Sequence, residues 1–309
     1  MLARLMAFTT VLATEAPAAW TYRYELSLGL ETGYQGQTGD VFAPTPGGPS
    51  AYWASLDSRR WRVGSVATGT LYFHSIADDD GPPTLQPFLA RANRVSATVM
   101  ANVAIALSDW RDTGGSGLGF YVAASGYPTR WLYLAADVGV EPSDYHLDSF
   151  RSVGLPLSAT AGVRIGDTQL EATYSTRPWW ATAPASFNAP SPGFFGAGMH
   201  SVIARRWDLR ASGAVTDGGV DLSLAAEWYP VRDTGPFATI EYASAWHDAS
   251  HANTVLARAG AVHWFTRRWG LRLDARYHWT NGHAEGPGGF LEDYTVHIIT
   301  FGGELTALF

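Results

Sequence analysis

The sequence predicts an all-β chain that closes into one transmembrane antiparallel up-and-down β-barrel of about fourteen strands, within a range of roughly twelve to sixteen. Three observations predict it. The chain has 309 residues, of which 16% are charged, yet it contains no run of ~18 uncharged apolar residues that would span a bilayer as a helix. Apolar and polar residues alternate singly through most of its length. Its 13 Trp, 14 Tyr and 14 Phe gather near the two ends of the alternating segments. Mean hydropathy is only -0.06, which a membrane protein reaches when each strand puts one face in lipid and the other in water.

Composition excludes several classes. There is no Cys, so neither a disulfide framework nor a thiolate metal site exists. The formal charge of -7 lacks the basic footprint that nucleic acid requires, and nucleic acid is not an expected partner. All the basic residues other than His are Arg, a bias that carries no functional reading by itself.

Taken in order, Met1–Arg4 supplies one positive charge, Leu5–Ala13 a short apolar stretch, and Ala16-Pro17-Ala18 small residues for cleavage. Residues 1–18 are therefore expected to be an export signal, and residues 19–309 the barrel domain. The first strand shows the alternation plainly: Trp20, Tyr22, Tyr24, Leu26, Leu28 and Leu30 oppose Thr21, Arg23, Glu25, Ser27, Gly29 and Glu31. Near the other end Trp269, Leu271, Leu273, Ala275, Tyr277 and Trp279 oppose Arg272, Asp274, Arg276 and His278. Side chains change face at each strand residue, so these are amphipathic strands of ~10 residues or more, the length a tilted strand needs to cross hydrocarbon. Expected spans are 20–34, 61–74, 91–108, 116–126, 130–141, 153–166, 167–177, 194–205, 206–216, 219–230, 236–247, 254–266, 267–280 and 293–309. No segment carries a sustained helical period.

Connections alternate between long and short. The long ones are 35–60, 142–152, 177–193 and 281–292; the short ones include Gly126–Arg130, Gly166-Asp167 and Thr266–Arg268. Loop 35–60 carries Pro44, Pro46 and Pro49 among glycines and is expected to be irregular and mobile. Segment 177–193 is rich in Pro and aromatics, fit for a constriction or for the leaflet. The link Ile76–Leu89 is out of pattern, being long where a short turn is expected, and Asp217-Gly-Gly219 is short where a long loop is expected. Aromatics form two sets. Trp131, Tyr133, Trp207, Trp228, Phe237, Trp264, Phe265, Trp269 and Phe309 mark one end of the strands. Tyr34, Trp61, Trp110, Trp179, Trp180, Phe194, Phe195, Trp246 and Trp279 mark the other. Rings with a polar tip favour the two lipid–water boundaries.

The segment Thr295–Phe309 ends on an aromatic, with Ala307, Leu305, Gly303, Phe301 and Ile299 at every second position. It resembles the C-terminal signature of Gram-negative outer-membrane β-barrels. That resemblance implies residence in the cell outer membrane among its lipids and lipopolysaccharide, with both termini periplasmic and the long connections outside. It also implies that Phe309 is read by the barrel-assembly machinery. The face opposite the lipid then lines a lumen: Arg23, Glu25, Glu31, Arg164, Glu171, Asp208, Arg210, Asp221, Glu227, Arg272, Asp274, Arg276 and Glu304. Barrels of about eight strands fill with side chains and those of 16–18 leave an aqueous channel, so about fourteen lies nearer the open case. The resemblance to porins covers the whole barrel and predicts a passive channel for small solutes, without cofactor or energy coupling. The interspersed charges set no ion preference, and a closed structural barrel is the other non-enzymatic reading.

One motif points to chemistry. His278-Trp279-Thr280-Asn281 is similar to the His-x-Ser-Asn pattern of outer-membrane lipid esterases and deacylases, in which a His activates a hydroxyl near the outer leaflet. His278 and Thr280 share a strand face, as that chemistry needs. Thr280 replaces the serine with a more crowded secondary hydroxyl, and Asn281-Gly282 is also a common turn dipeptide. No metal site is expected. Asp78-Asp79-Asp80-Gly81 lacks calcium-loop spacing and reads as a solvated turn, while His247 and His251 fall in an expected loop without a third ligand.

Overall fold

The computed structural model describes residues 20–45, 48–77, 81–106, 115–143, 152–154, 157–176, 194–216, 218–247, 250–285 and 291–309. The expected export signal, segment 177–193 and Trp110, Trp179 and Trp180 lie outside the described residues. The first strands are β1 (Thr21–Thr45), β2 (Gly48–Ala77), β3 (Arg94–Ala106), β4 (Gly115–Gly126) and β5 (Leu132–Ser143). Next come β6 (Ser152–Gly154), β7 (Leu157–Ile165), β8 (Thr168–Ser175), β9 (Phe194–Ile203) and β10 (Trp207–Thr216). The last are β11 (Gly219–Trp228), β12 (Thr234–His247), β13 (Ser250–Trp264), β14 (Trp269–Glu285) and β15 (Leu291–Leu308).

Every pairing is antiparallel between sequence neighbours, and β1 pairs with β15 from Glu25↔Leu308 to Phe42↔Leu291, which closes the ring. The short β6 pairs with the end of β5 (Glu141↔Gly154), just past the point where β7 takes over (Val138↔Leu157). They are two pieces of one wall strand, so the barrel has fourteen. All fourteen expected spans fall on these strands.

At the end that carries Thr21 and Leu308, the β7–β8 and β9–β10 turns are tight. Ile165 pairs with Thr168, leaving a two-residue link in which Gly166 has φ +62. Glycine first in a two-residue hairpin is what a type II′ turn demands. The link from β9 to β10 is nearly as short, and Ala204 and Arg205 take positive φ there (50 and 55).

Two expectations need correction. Loop 35–60 is not irregular: β1 and β2 continue as a paired hairpin up to Thr45↔Gly48. Its register shifts between Val41 and Phe42 and between Ala43 and Thr45, so Pro44 falls at an irregularity, where a missing N–H costs no ladder bond. Segment 281–292 is likewise mostly strand, since β14 runs to Glu285 and β15 begins at Leu291. The long link between β2 and β3, out of pattern by its length, packs against the barrel from Gly81 onward. Pro83–Leu85 forms a 3-10 turn that runs into one α-helical turn, Gln86–Leu89; Gly81, Pro82, Pro83, Leu85 and Gln86 are buried. Asp78–Asp80 lie outside the described residues.

Candidate functional site

Burial in the wall is inverted relative to a water-soluble sheet. Along β7, Leu157, Ala159, Ala161, Val163 and Ile165 are the exposed residues, while Ser158, Thr160, Gly162 and Arg164 turn inward. Ile165 is 72% exposed and Arg164 3%. The same holds elsewhere: Leu222, Leu224, Ile240, Leu273 and Phe301 face out, and Asp208, Asp221, Glu227, Asp274 and Thr280 are buried inside. A continuous apolar belt of that extent is not sustained in water and is solvated in hydrocarbon. The chain is a membrane-spanning barrel. Trp131, Trp207, Trp228, Phe265 and Phe309 ring the outer surface at the terminal end, and Tyr34, Trp61, Phe195 and Trp246 ring it toward the other. Phe237 and Trp264 do not belong to the first ring: both are buried, on the inner face. Tyr133 also turns inward, against Tyr127.

Inside, the wall from β10 round to β1 carries a connected set of charges. Asp274 accepts hydrogen bonds from Arg258 (2.6 Å) and Arg276 (2.8 Å), and Arg276 reaches on to Glu31 at 3.0 Å. Arg272 lies 3.6 Å from Glu227 and over the Phe237 ring, with its guanidinium carbon 3.7 Å from the centroid. Arg210 donates to Asp208 at 2.6 Å, and Asp208 also lies 2.7 Å from His200 Nε2. Glu25 accepts the Tyr72 hydroxyl at 2.6 Å, and Glu171 accepts from Gln169 at 3.0 Å. Glu304 stands opposite Arg272 in register. Among the expected lumen residues, Arg276 pairs with Glu31 and Arg272 with Glu227 across strands, whereas Arg210–Asp208 and Arg276–Asp274 are pairs within one strand. Arg23 does not face the lumen. A bulge between Tyr22 and Tyr24 shifts the parity of β1, turning Tyr22 inward and leaving Arg23 exposed, where it donates to the backbone carbonyls of Tyr72 and Phe73. Arg258 and His200 belong to the set and were not among the expected lumen residues, although Arg258 has the parity of the inward residues of β13.

At the terminal end the β2–β3 link folds up into the bore. Leu85 is buried with Tyr22, Tyr72, Ile76, Val202, Tyr229, Val262, Trp264 and Leu308, and Phe88 and Leu89 pack against this cluster. Polar contacts fasten the link as well. Thr84 Oγ1 lies 2.7 Å from the Tyr229 hydroxyl and accepts from Trp264 Nε1 at 3.3 Å. Arg164 donates to the carbonyl of Phe88, and its guanidinium lies over the Phe88 ring, 4.1 Å from the centroid. The Phe88 ring also meets His200, with centroids 3.8 Å apart. Arg232 donates to the Gly81 carbonyl at 3.3 Å. Burial, with the Glu227 carboxylate beside it, raises the Tyr229 phenol above its ordinary range, so this anchor stays protonated at neutral pH. Arg164, expected to line the lumen, is thus spent on holding this link.

His278 and Thr280 share a face, with His278 Nε2 3.2 Å from Thr280 Oγ1. That face is the inner one: Thr280 is buried and lies 3.0 Å from Thr254 Oγ1. The pair therefore has no access to a lipid ester in the leaflet, which does not favour the hydrolase reading. Asn281 is exposed and donates to Thr295. His251 is on β13, not in a loop, and its ring stacks on that of His283 at 5.7 Å. Among the described residues no three ligating side chains converge on a metal position.

No family model matches the chain, and no curated protein matches it. Solved structures do. The outer-membrane protein Omp33 of Acinetobacter baumannii aligns over 94% of this chain and 100% of its own, at 12% identity and a TM-score of 0.47. A FadL homologue of Pseudomonas aeruginosa aligns over 92% of this chain and 90% of its own, at 12% identity and a TM-score of 0.43. An outer-membrane channel of Pseudomonas putida F1 aligns over 96% and 98%, again at 12% identity and 0.43. The fold assignment itself stands on the closed ring of pairings and the inverted burial described above.

Proposed function

We propose that this chain is an outer-membrane channel through which small solutes diffuse passively. The observation that supports it is the lumen wall. Arg210, Arg258, Arg272 and Arg276 face a bore bounded by fourteen strands, and each keeps part of its surface accessible while paired to a carboxylate. Water-accessible charge on the inner face suits a conduit, which needs polar walls. In this reading the terminal end is periplasmic and the β1–β2 hairpin external. Phe309, with an accessible ring and backbone bonds to Tyr24 and Arg23, is the position that the assembly machinery would read. Lipid and lipopolysaccharide surround the belt, and no cofactor takes part. The test is single-channel recording of refolded protein in a planar bilayer, where discrete ohmic steps are expected. Absence of steps from protein shown to be folded would leave a closed structural barrel.

A further inference from the structure

We infer that the β2–β3 link is a plug built into the periplasmic mouth, and that conduction requires it to leave its seat. This rests on the channel reading and says how that channel is closed.

The link draws its partners, and the members of the buried cluster it joins, from far apart in the ring. They come from β1 (Tyr22), β2 (Tyr72, Ile76), β7 (Arg164), β9 (His200, Val202), β13 (Val262, Trp264) and β15 (Leu308), and from Tyr229 and Arg232 beyond β11. The link leaves β2 and returns to β3, yet Phe88 meets Arg164 on β7 and His200 on β9, and Thr84 meets Trp264 on β13. Thr84 and Gly81 meet Tyr229 and Arg232 beyond β11, on the far side of the ring, so the link crosses the bore. The cluster it forms contains the largest fully buried side chains among the described residues: Tyr22, Tyr72, Tyr229, Ile76, Leu85 and Leu308. A smaller buried cluster, Tyr294 and Val296 with Ile298, lies toward the other end; the larger apolar centre, with aromatic walls, is here.

The link is also shaped to move as one piece. Arg91 N–H bonds the Phe88 carbonyl at 3.0 Å and Ala92 N–H bonds the Pro87 carbonyl at 2.9 Å, the double cap of a Schellman motif. Arg91 occupies the left-handed position (φ 53), where glycine is usual. Pro82, Pro83 and Pro87 stiffen the other side. A rigid knob joined to two strands can be unseated without unfolding the wall, because side-chain packing and side-chain hydrogen bonds hold it there.

Two of its anchors continue into the lumen charges. Tyr229 joins Thr84 to Glu227 and hence to Arg272; His200 joins Phe88 to Asp208 and hence to Arg210. A solute that re-pairs Arg272 or Arg210 therefore acts on the same contacts that hold the plug.

Two variants test the inference in planar bilayers. In the first, residues 81–92 are replaced by a short Asn-Gly turn. In the second, Thr84→Cys and Tyr229→Cys are joined by a reducible bis-methanethiosulfonate cross-linker, which the absence of native Cys makes specific. The shortened variant is expected to conduct several-fold more, or to stay open for several-fold longer, than the parent. The cross-linked variant is expected to fall silent and to recover when dithiothreitol is added. If the cross-linked variant conducts as well as its reduced form, solutes pass the plug in place and the inference fails while the channel reading survives. If the folded, shortened variant is silent, the lumen is closed elsewhere and both fail.

Discussion

A single residue position in this barrel has one of two solvents, and the substitution it tolerates follows from which. Leu224 is 59% exposed on the lipid face near the middle of β11, and its neighbour Ser223 points to the lumen. Leu224→Arg should lower folding stability in lipid vesicles by about 2–4 kcal/mol, the cost of a guanidinium at the bilayer midplane. Ser223→Arg should cost far less; chemical unfolding of both variants in the same vesicles checks the contrast. Asp274 illustrates the inner solvent, because its carboxylate is shared by Arg258 and Arg276. Asp274→Asn leaves those guanidinium groups in excess, and the reversal potential in a KCl gradient should move toward anion preference. A reversal potential equal to that of the parent would mean that the permeating ions do not feel this pair. These assignments were legible in part. Alternation separated the two faces but held no information on which was lipid. Arg23 escaped because the bulge beside Tyr22 reverses parity within two residues, a backbone event without a clear side-chain signature. Phe237 and Trp264 were placed in the girdle for being aromatic at a strand end. Trp264 shares parity with Arg258 and Val262, which would have put it inside.

At the scale of the element, strand positions were the most legible feature, since a period of two residues is written locally and repeats over ten or more positions. Strand ends were less so. Prolines in 35–60 suggested a loop, yet the pairing of β1 with β2 carries past Pro44 to Thr45. Turn chemistry is more dependable where a single dihedral decides. Gly166 takes φ +62 in a two-residue link, and Gly166→Ala should destabilise the β7–β8 hairpin by about 1–2 kcal/mol through left-handed strain. Unfolding of that variant in vesicles reads the loss, and no loss would mean that the turn relaxes to another type. The plug was the least legible element. Its helix has four residues, too few to show a period, and its seat is assembled from strands far away in sequence. The only trace in the sequence was a connection too long for its side of the barrel.

For the whole molecule, closure of β1 on β15 joins the ends of the described chain, and the belt, two aromatic rings and paired lumen follow from that ring. Its interior is not uniform along its length: polar and accessible where the arginines stand, dry and aromatic at the terminal mouth. The plug in that mouth is continuous with β2 on one side and β3 on the other. It can leave its seat but cannot diffuse away from the barrel, so its local concentration there is fixed by the chain that tethers it and not by supply. Seating and unseating are therefore a unimolecular equilibrium. It is indifferent to how many barrels share a membrane, cannot be exhausted by washing, and always resets without a second protein.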